Sequence, residues 1–476
     1  MATLLPSFRQ SVEVEQRRGP VTERADLVIR NARVLLETGL FRGGVAVNDG
    51  KICAIASDLH LPDADTVVDA KNMFLMPGLI DGHAHIHDEA MLSHEDFTSG
   101  SSLAASGGVT TFVEMPLVTQ VDSPSAVKRK VESGERLSIV DFSLYGGMIN
   151  SDNISSIPAL IEEGVAGFKA FTCRPFYASA GVIARALSEV SEYGGHLTIH
   201  SENQGVLDEF ARDLDGEWDA PVAHALSRPT LAEQLAVRQN VGIASQTGGH
   251  LHIAHITTRE GVHEVAQGKL HGVEVSTEVC PHHLMFDRDE MNRLGPKSKM
   301  NPPLRSKRDR AALWSALLTG TIDIVVSDHA PAPLEEKTAG DNDIREAWAG
   351  VDGIQMILRV LLSEGVNRGR LSLGRLLRVV TRNPARVFGL YPKKGTIMVG
   401  SDADLVIFDS TREEKITDNM IMSKSGWSLY EGLTMMGAPV MTFVRGVRVY
   451  EDGDILVKPG HGLFQPMGGT RTDITQ

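Results

Sequence analysis

Short apolar runs that end on polar residues recur through the middle of the chain. They predict strands over residues 79–85, 109–114, 139–145, 167–171, 196–200, 251–255, 272–278 and 322–327. Segments with helical spacing of apolar positions, such as 231–238, separate these runs. Strands joined by helical crossovers predict an α/β fold with a (β/α)8 barrel. An open doubly wound sheet is the alternative, but the chain lacks the glycine-rich phosphate-binding fingerprint typical of that fold.

Shorter alternating runs lie on both sides of this region and predict further strands over residues 26–30, 44–47, 51–55, 403–408 and 442–450. We expect the two ends of the chain to fold together into a small β-sandwich. The predicted organisation is an N-terminal arm at 1–25, a sandwich from 26–76 and 390–455, a barrel from 77–389, and a C-terminal tail at 456–476.

Polar side chains that can bind metal ions close several of the predicted barrel strands. His83 and His85 are two residues apart, so on a strand they point to the same face. A His-x-His pair alone is a weak signal, but four more strand ends carry Lys169, His200, His255 and Asp328. Buried groups of this kind must be paired or coordinated, and barrel active sites lie at the C-terminal ends of the strands. The pattern therefore predicts a metal-dependent active site.

Composition and charge limit the partners and the cellular compartment that we expect for the protein. A chain of 476 residues can form a large domain and a smaller one, and its net charge of −14 without a basic block argues against a nucleic-acid partner. Cys53, Cys173 and Cys280 do not form the spacing of a disulfide framework, which favours a reducing compartment. No apolar stretch has the length of a signal peptide core or a membrane span. We expect a cytoplasmic protein that does not bind membranes.

Several motifs occur together in an order that resembles the cyclic amidohydrolases, which include allantoinases, dihydroorotases, hydantoinases and dihydropyrimidinases. The segments that carry the resemblance are 78–85, 167–169, 198–202, 252–255, 299–305 and 327–331. The likeness extends from about Ala25 to Gly453. It implies an enzyme that opens a small cyclic amide or ureide by hydrolysis, and it implies a homotetramer, the common assembly of the family.

The resemblance also implies a centre of two divalent ions, with ligands divided as follows: His83 and His85 on one ion, His200 and His255 on the second, a carboxylated Lys169 between them, and Asp328 on the first. A bridging hydroxide would attack the amide carbon. Asp328 would take its proton and pass it to the departing ring nitrogen. Imidazoles and anionic oxygens suit Zn²⁺, with Co²⁺ or Mn²⁺ as alternatives. Glu202, His252, His282 and His283 are either partners of the ligands or satisfied buried polar groups.

The substrate is less clearly indicated. Segments 321–328, 347–355 and 383–395 resemble allantoinases most, which predicts conversion of allantoin to allantoate. The predicted substrate contacts are Asn301, in a segment that resembles the one orienting the ring, and two family departures, Arg174 and His87. A dihydroorotase typically has Arg where this chain has His87, and a hydantoinase typically has Tyr where it has Arg174.

Three alternatives stay open beside allantoin hydrolysis. A hydantoinase-like or other cyclic amide or imide hydrolase is the nearest, because residues 86–95 differ from the corresponding allantoinase loop. Dihydropyrimidinase-like scaffold proteins have the same fold but have lost metal ligands, whereas this chain keeps all six. A deaminase or phosphotriester hydrolase of the same barrel superfamily is the third, and release of ammonia would identify the deaminase.

Overall fold

The computed structural model describes residues 24–165, 167–214 and 216–466. The predicted N-terminal arm lies outside the described residues apart from Arg24 and Ala25, which begin the first strand. Residues 467–476 of the predicted tail also lie outside them. The rest of that tail packs on the barrel, where the Gln465 backbone N–H donates to Phe142 O at 2.7 Å.

The strands, in chain order, are Arg24–Leu36 (β1), Gly39–Asn48 (β2), Lys51–Ala56 (β3), Asp63–Asp69 (β4), Phe74–Pro77 (β5), Leu79–Ala84 (β6), Val109–Glu114 (β7), Asp141–Gly146 (β8), Gly167–Phe171 (β9), Leu197–His200 (β10), Leu251–Ile253 (β11), Val275–Val279 (β12), Ile324–Val325 (β13), Leu405–Lys415 (β14), Thr434–Val444 (β15), Val447–Glu451 (β16) and Asp454–Ile455 (β17).

The α-helices are Phe97–Ser106 (α1), Pro124–Leu137 (α2), Ile157–Glu162 (α3), Ala180–Glu192 (α4), Gln204–Arg212 (α5), Val222–Ser227 (α6), Thr230–Thr247 (α7), Arg259–Leu270 (α8), Pro281–Met285 (α9), Met291–Leu294 (α10), Lys307–Thr319 (α11), Leu334–Thr338 (α12), Ile357–Val360 (α13), Leu373–Leu377 (α14) and Asn383–Val387 (α15). In the described part of the chain, no helix combines the length and apolar character needed to cross a membrane.

Strands β6 to β13 form an eight-stranded parallel sheet in chain order, with helices between successive strands. The predicted (β/α)8 barrel is therefore confirmed, and all eight predicted strands are present. The sheet closes through side chains and loops: the Ser327 N–H donates to Asp81 Oδ1 at 2.9 Å, and the His85 N–H donates to His329 O at 2.7 Å. These contacts join the first and last strands, so the strand ends surround one common space.

A second sheet of nine strands is built from both ends of the chain, as predicted. Its order is β17-β16-β15-β14-β5-β1-β2-β3, with β4 beside β1. Strands β5 and β14 pair antiparallel and connect the N-terminal strands to the C-terminal ones. Side chains from several of its strands, including Ile29, Val45, Leu75 and Leu405, form one buried apolar cluster. The sheet therefore encloses a core of its own.

One predicted strand is divided in the structure. Residues 442–450 do not form one strand, because the chain turns at Arg445 and Gly446 and returns as β16 beside β15. Both residues have positive φ, 46° for Arg445 and 75° for Gly446. Two consecutive residues of this kind make a tight hairpin turn, which the alternation of apolar residues alone does not indicate.

A buried lysine joins the barrel to the second sheet. Lys394 Nζ lies 2.7 Å from Asp141 Oδ2 at the start of β8 and 3.3 Å from Asp402 Oδ2, and it also pairs with Asp404 just before β14. A buried ammonium is tolerated when carboxylates surround it, as they do here. The contact fixes the base of the barrel against the sheet, at the opposite end of β8 from the carboxyl strand ends.

Candidate active site

The structure brings all six predicted ligand residues to one cavity at the C-terminal ends of the barrel strands. His83 Nε2 and His85 Nε2 lie 3.2 Å and 3.3 Å from Asp328 Oδ1. His200 Nδ1 faces His255 Nε2 at 3.1 Å. The rings of His83 and His255 have centroids 5.4 Å apart, so the two groups adjoin. Together with Lys169, these side chains line the same cavity.

Two of these residues have backbone conformations that residues other than glycine seldom adopt. His255 and Asp328 have φ values of 28° and 45°. Non-glycine residues with positive φ are uncommon and cost free energy, and such positions cluster at functional sites. Both residues follow the ends of short strands, β11 and β13. The sharp turn after each strand directs its side chain into the cavity.

The donor set fits divalent ions. The nitrogens of His200 and His255 that face each other are separated by about the distance that two ligands of one tetrahedral zinc ion require. Imidazole nitrogens also converge with a carboxylate oxygen around Asp328 Oδ1. In three of the four rings the other nitrogen donates to an oxygen: His83 Nδ1 to Glu278, His85 Nδ1 to Met115 O, and His200 Nε2 to Glu202. This arrangement orients an imidazole for a metal ion.

Lys169 has the environment that a carbamate requires. Its side chain is only 1% exposed, and its Nζ has no hydrogen-bond partner among the described residues. Burial lowers the pKa of this amine to about 8. The neutral amine is the form that reacts with carbon dioxide, releasing a proton and leaving two anionic oxygens. A buried lysine that has no hydrogen-bond partner in the described part of the chain, beside two pairs of metal-type ligands, fits a bridging position better than a structural one.

Glu278 is a functional residue that the sequence analysis missed. It is the second-last residue of β12 and accepts hydrogen bonds from His83 Nδ1 at 2.5 Å, from His252 Nε2 at 3.0 Å and from the His255 N–H at 3.1 Å. Burial alone would raise the pKa of this carboxyl, but His83 and His252 lower it below its ordinary value. The signal was present, because Glu278 ends a predicted strand just as the six ligands do.

We expect Glu278→Gln to lower zinc affinity about 10- to 100-fold, because glutamine keeps the size but loses the charge and one acceptor that orient His83. Competition with a coloured zinc chelator measures this affinity. Glu274→Gln is the matched control, since Glu274 is exposed and precedes the same strand. Equal zinc affinity in both variants would show that Glu278 does not orient a metal ligand.

A second buried carboxylate supports His200. Glu202 Oε2 accepts from His200 Nε2 at 2.8 Å, and the Arg228 guanidinium donates to both oxygens of Glu202. Burial would raise the pKa of Glu202, but the Arg228 charge and the His200 hydrogen bond hold it well below its ordinary value. Glu202 and His252, which the sequence left undecided, are therefore hydrogen-bond partners of the ligand cluster.

The cavity has a volume of about 480 Å³, and residues of different chemistry line it. The six ligand residues are among them, and the ring of Phe171 stacks on that of His200 with centroids 5.1 Å apart. We call the large apolar residues and Ala347 of this lining the apolar wall: Leu117, Val118, Phe171, Phe176, Ala347 and Trp348. Further polar side chains line the cavity as well: Arg174, Arg228, Asn301, Glu336 and Glu346.

The three predicted substrate contacts have different positions. Asn301 lines the cavity, and its buried Oδ1 has no partner among the described residues. Arg174 lies at the rim with its side chain 65% exposed, where its guanidinium pairs with Asp208. The prediction for His87 needs correction, because this residue is not among those lining the cavity. Its ring stacks on Phe97 with centroids 4.6 Å apart, since β6 ends at Ala84 and His87 lies in the loop that follows the strand.

Fold and site together define a barrel protein with a metal-type ligand set at the C-terminal strand ends, the arrangement of a hydrolase that works through bound ions. The chain belongs to the amidohydrolase family, whose model matches residues 74–449. This family is generally metal-dependent. Within it, the relatives described next place the chain among the hydrolases called cyclic amidohydrolases.

Several characterised proteins are similar over nearly their whole length. The chain is 34% identical to an L-hydantoinase of Paenarthrobacter aurescens over 450 residues, which is 92% of this chain and 97% of the relative. It is also 34% identical to an allantoinase of Solibacter usitatus over 457 residues, covering 94% and 98% of the two chains. The solved structure of the L-hydantoinase (dihydropyrimidinase) from Arthrobacter aurescens superposes with a TM-score of 0.89 at 33% identity, covering 92% and 99%. Identity alone therefore does not separate the two substrates.

Proposed function

We propose that this protein hydrolyses a ring C–N bond of a five-membered cyclic ureide, and that a hydantoin with an apolar substituent is a better substrate than allantoin. The observation that supports this preference is the apolar wall beside the ligand cluster. Phe171 and Phe176 lie with ring centroids 5.3 Å apart, and Val118 is 53% exposed in the free protein. Covering such a surface with an apolar group of the substrate is favourable, whereas the polar ureido group of allantoin gains little there.

Two divalent ions, when bound, supply Lewis acidity that lowers the pKa of water and polarises the amide carbonyl. His83, His85, His200 and His255 would hold them, with Asp328 and carboxylated Lys169 as the anionic ligands. Zn²⁺ suits this mixture of imidazole and oxygen donors, and Co²⁺ or Mn²⁺ are alternatives. This assignment keeps the roles that the resemblance implied, and the convergence of the six side chains supports it.

Two residues of the chain have direct roles toward the substrate. Asp328 takes the proton of the attacking water and returns it to the departing ring nitrogen, which is released as a neutral urea N–H group rather than as an anion. Burial would raise its pKa, but the neighbouring His83 and His85 hold the pKa of Asp328 well below its ordinary value. The carboxylate is thus ready to accept a proton. Asn301 Oδ1, which lacks a partner, accepts a hydrogen bond from a ring N–H.

Allantoin is the second candidate substrate. Residues 321–328 and 347–355 resemble allantoinases, and the polar residues Arg174 and Glu346 line the cavity together with the apolar wall. A ureido group could hydrogen-bond to these side chains. The homotetramer that the family resemblance implies belongs to this proposal and can be checked by analytical ultracentrifugation.

A panel of rings tests the proposed function. Purified enzyme loaded with Zn²⁺, Co²⁺ or Mn²⁺ is assayed with allantoin, hydantoin, benzylhydantoin, dihydrouracil, dihydroorotate and succinimide. We expect kcat/KM for benzylhydantoin to exceed that for allantoin about tenfold or more, since burying an aromatic side group contributes about 1.5–3 kcal/mol. Higher kcat/KM for allantoin would favour the second candidate. Ammonia without ring opening would indicate a deaminase, and no turnover of any ring would favour a scaffold.

Substitution of one residue of the apolar wall tests whether this wall causes the preference for hydantoins with apolar substituents. Phe176→Ala should lower kcat/KM for benzylhydantoin about tenfold and leave that for unsubstituted hydantoin nearly unchanged. The neighbouring aromatic residue Tyr177 is exposed and is not among the residues lining the cavity, so Tyr177→Ala is the matched control. An equal loss on both substrates would mean that Phe176 does not contact the substituent.

A further inference from the structure

A second group of metal-type side chains lies just beyond the end of β12. Cys280 follows the last residue of this strand, and His282 and His283 lie in the short helix α9. One ligand atom from each of the three lies within 4.8 Å of the other two. All three residues are buried, and none is among the residues that line the catalytic cavity. We call these residues the Cys–His cluster.

The polar atoms of the Cys–His cluster are largely unsatisfied. His282 is 1% exposed, yet neither of its ring nitrogens has a hydrogen-bond partner in the described part of the chain. His283 Nδ1 also lacks one. Burying an imidazole without partners is unfavourable, so native proteins rarely leave such a ring without a water molecule, an ion or another ligand. The rings of His282 and His283 lie close, with centroids 4.4 Å apart.

The two histidines of the cluster are in the form that binds a divalent ion, whereas burial and the nearby carboxylates of Asp328 and Glu278 raise the pKa of the Cys280 thiol, so an ion must displace its proton on binding. Burial lowers the pKa of His282 well below its ordinary value and that of His283 to about 4, so both rings are neutral at pH 7 and have a lone pair. His283 Nε2 donates to Pro302 O at 3.1 Å, which leaves Nδ1 as the acceptor nitrogen. A ligand oriented by a backbone carbonyl is typical of metal-binding histidines.

We propose that Cys280, His282 and His283 bind a zinc ion distinct from the catalytic pair, with a water molecule as its fourth ligand. One thiolate and two imidazoles are the donors that Zn²⁺ prefers, and ligands of a tetrahedral zinc ion lie about 3.4 Å apart. The three ligand atoms, which lie within 4.8 Å of one another, would move closer together when the ion binds. The thiol proton of Cys280 is released to solvent as the Cys–S–Zn bond forms.

The position of this ion suggests what it stabilises. Glu278, which donates no proton but accepts the hydrogen bond of His83 Nδ1, lies near the end of β12, two residues before Cys280. The hydrogen bond from His283 to Pro302 connects the cluster to the segment with Asn301, which faces the substrate cavity. An ion in the Cys–His cluster would therefore hold both segments in place without contacting the substrate. This inference does not depend on the proposed ring substrate.

Cobalt substitution tests the site separately from the catalytic centre. The full-length protein is stripped of metal and titrated with Co²⁺, and its absorption in the near ultraviolet is recorded. We expect a thiolate-to-cobalt charge-transfer band, because the catalytic ligand set contains no thiol. The band should disappear in Cys280→Ser and persist in Cys173→Ser, which removes the other buried thiol. No band in the wild-type protein, or a band that depends on Cys173, would overturn the proposal.

A second measurement needs no variant. Anomalous diffraction from crystals of the zinc-loaded wild-type protein should show a peak between Cys280 Sγ and the two imidazoles. Electron density for a water molecule there, with no anomalous signal, would overturn the proposal by giving His282 another partner. Either result leaves the catalytic assignment untouched, because peaks at the six catalytic ligands are assessed separately.

Discussion

Changing Lys169 to alanine is expected to abolish ring hydrolysis and to release bound metal at the same time. The substitution removes the side chain that would bridge the two proposed ion positions, so the ions would lose a shared protein ligand and its negative charge. Stabilisation of a transition state by a pair of ions is worth several kilocalories per mole, and we therefore expect kcat/KM to fall by about 10³-fold or more. Steady-state assays and elemental analysis of the purified variant measure both effects.

Chemical rescue separates a missing bridge from a damaged fold. Propionate can enter the space left by the lysine side chain and supply two carboxylate oxygens at the same place. We expect propionate with Zn²⁺ to restore part of the activity of Lys169→Ala, whereas chloride at equal ionic strength restores none. A variant that keeps normal zinc content and activity without any added acid would contradict the bridging role.

Asp328→Asn is expected to lower kcat about 10²- to 10⁴-fold, the range in which a general acid–base group contributes. Asparagine preserves the size of the side chain and one oxygen near His83 and His85, but its amide cannot shuttle a proton. The decrease in kcat should be largest for substrates with poor leaving groups, since their hydrolysis depends most on protonation of the ring nitrogen. Single-turnover assays on hydantoins with different ring nitrogen basicity measure this dependence.

Zinc content provides the control for Asp328→Asn. If both ions stay bound while kcat falls, the loss belongs to proton transfer rather than to ligation. If one ion is lost, added Zn²⁺ at high concentration should restore metal but not the rate. A rate equal to that of the wild-type protein with zinc bound would exclude Asp328 as the proton carrier.

Much of the site could be predicted because strand ends are visible in the sequence. Apolar runs ended at or next to His85, His200, His255 and Asp328, and a barrel places such ends around one space. The order of the runs was enough to predict the barrel itself. The same rule would have selected Glu278, which ends its predicted strand, but a carboxylate that hydrogen-bonds to histidines distant in sequence has no distinguishing motif.

The errors arose where local pattern does not determine the path of a loop. His87 would share a face with His85 if the strand continued, but β6 ends at Ala84 and the ring of His87, in the following loop, stacks on Phe97. Arg174, predicted near the substrate from its spacing to Lys169, does line the cavity, but its partner Asp208 at the rim is not indicated by that spacing. The distant partner of each side chain depends on tertiary packing, which spacing along the chain does not contain.

The most direct measurement is a crystal structure of the zinc-loaded protein with diffraction recorded on both sides of the zinc absorption edge. We expect two ions about 3.5–4 Å apart among His83, His85, His200, His255 and Asp328, with density for a carbamate on Lys169 Nζ between them. An unmodified Lys169 with no zinc among these side chains, in crystals of catalytically active protein, would contradict the account.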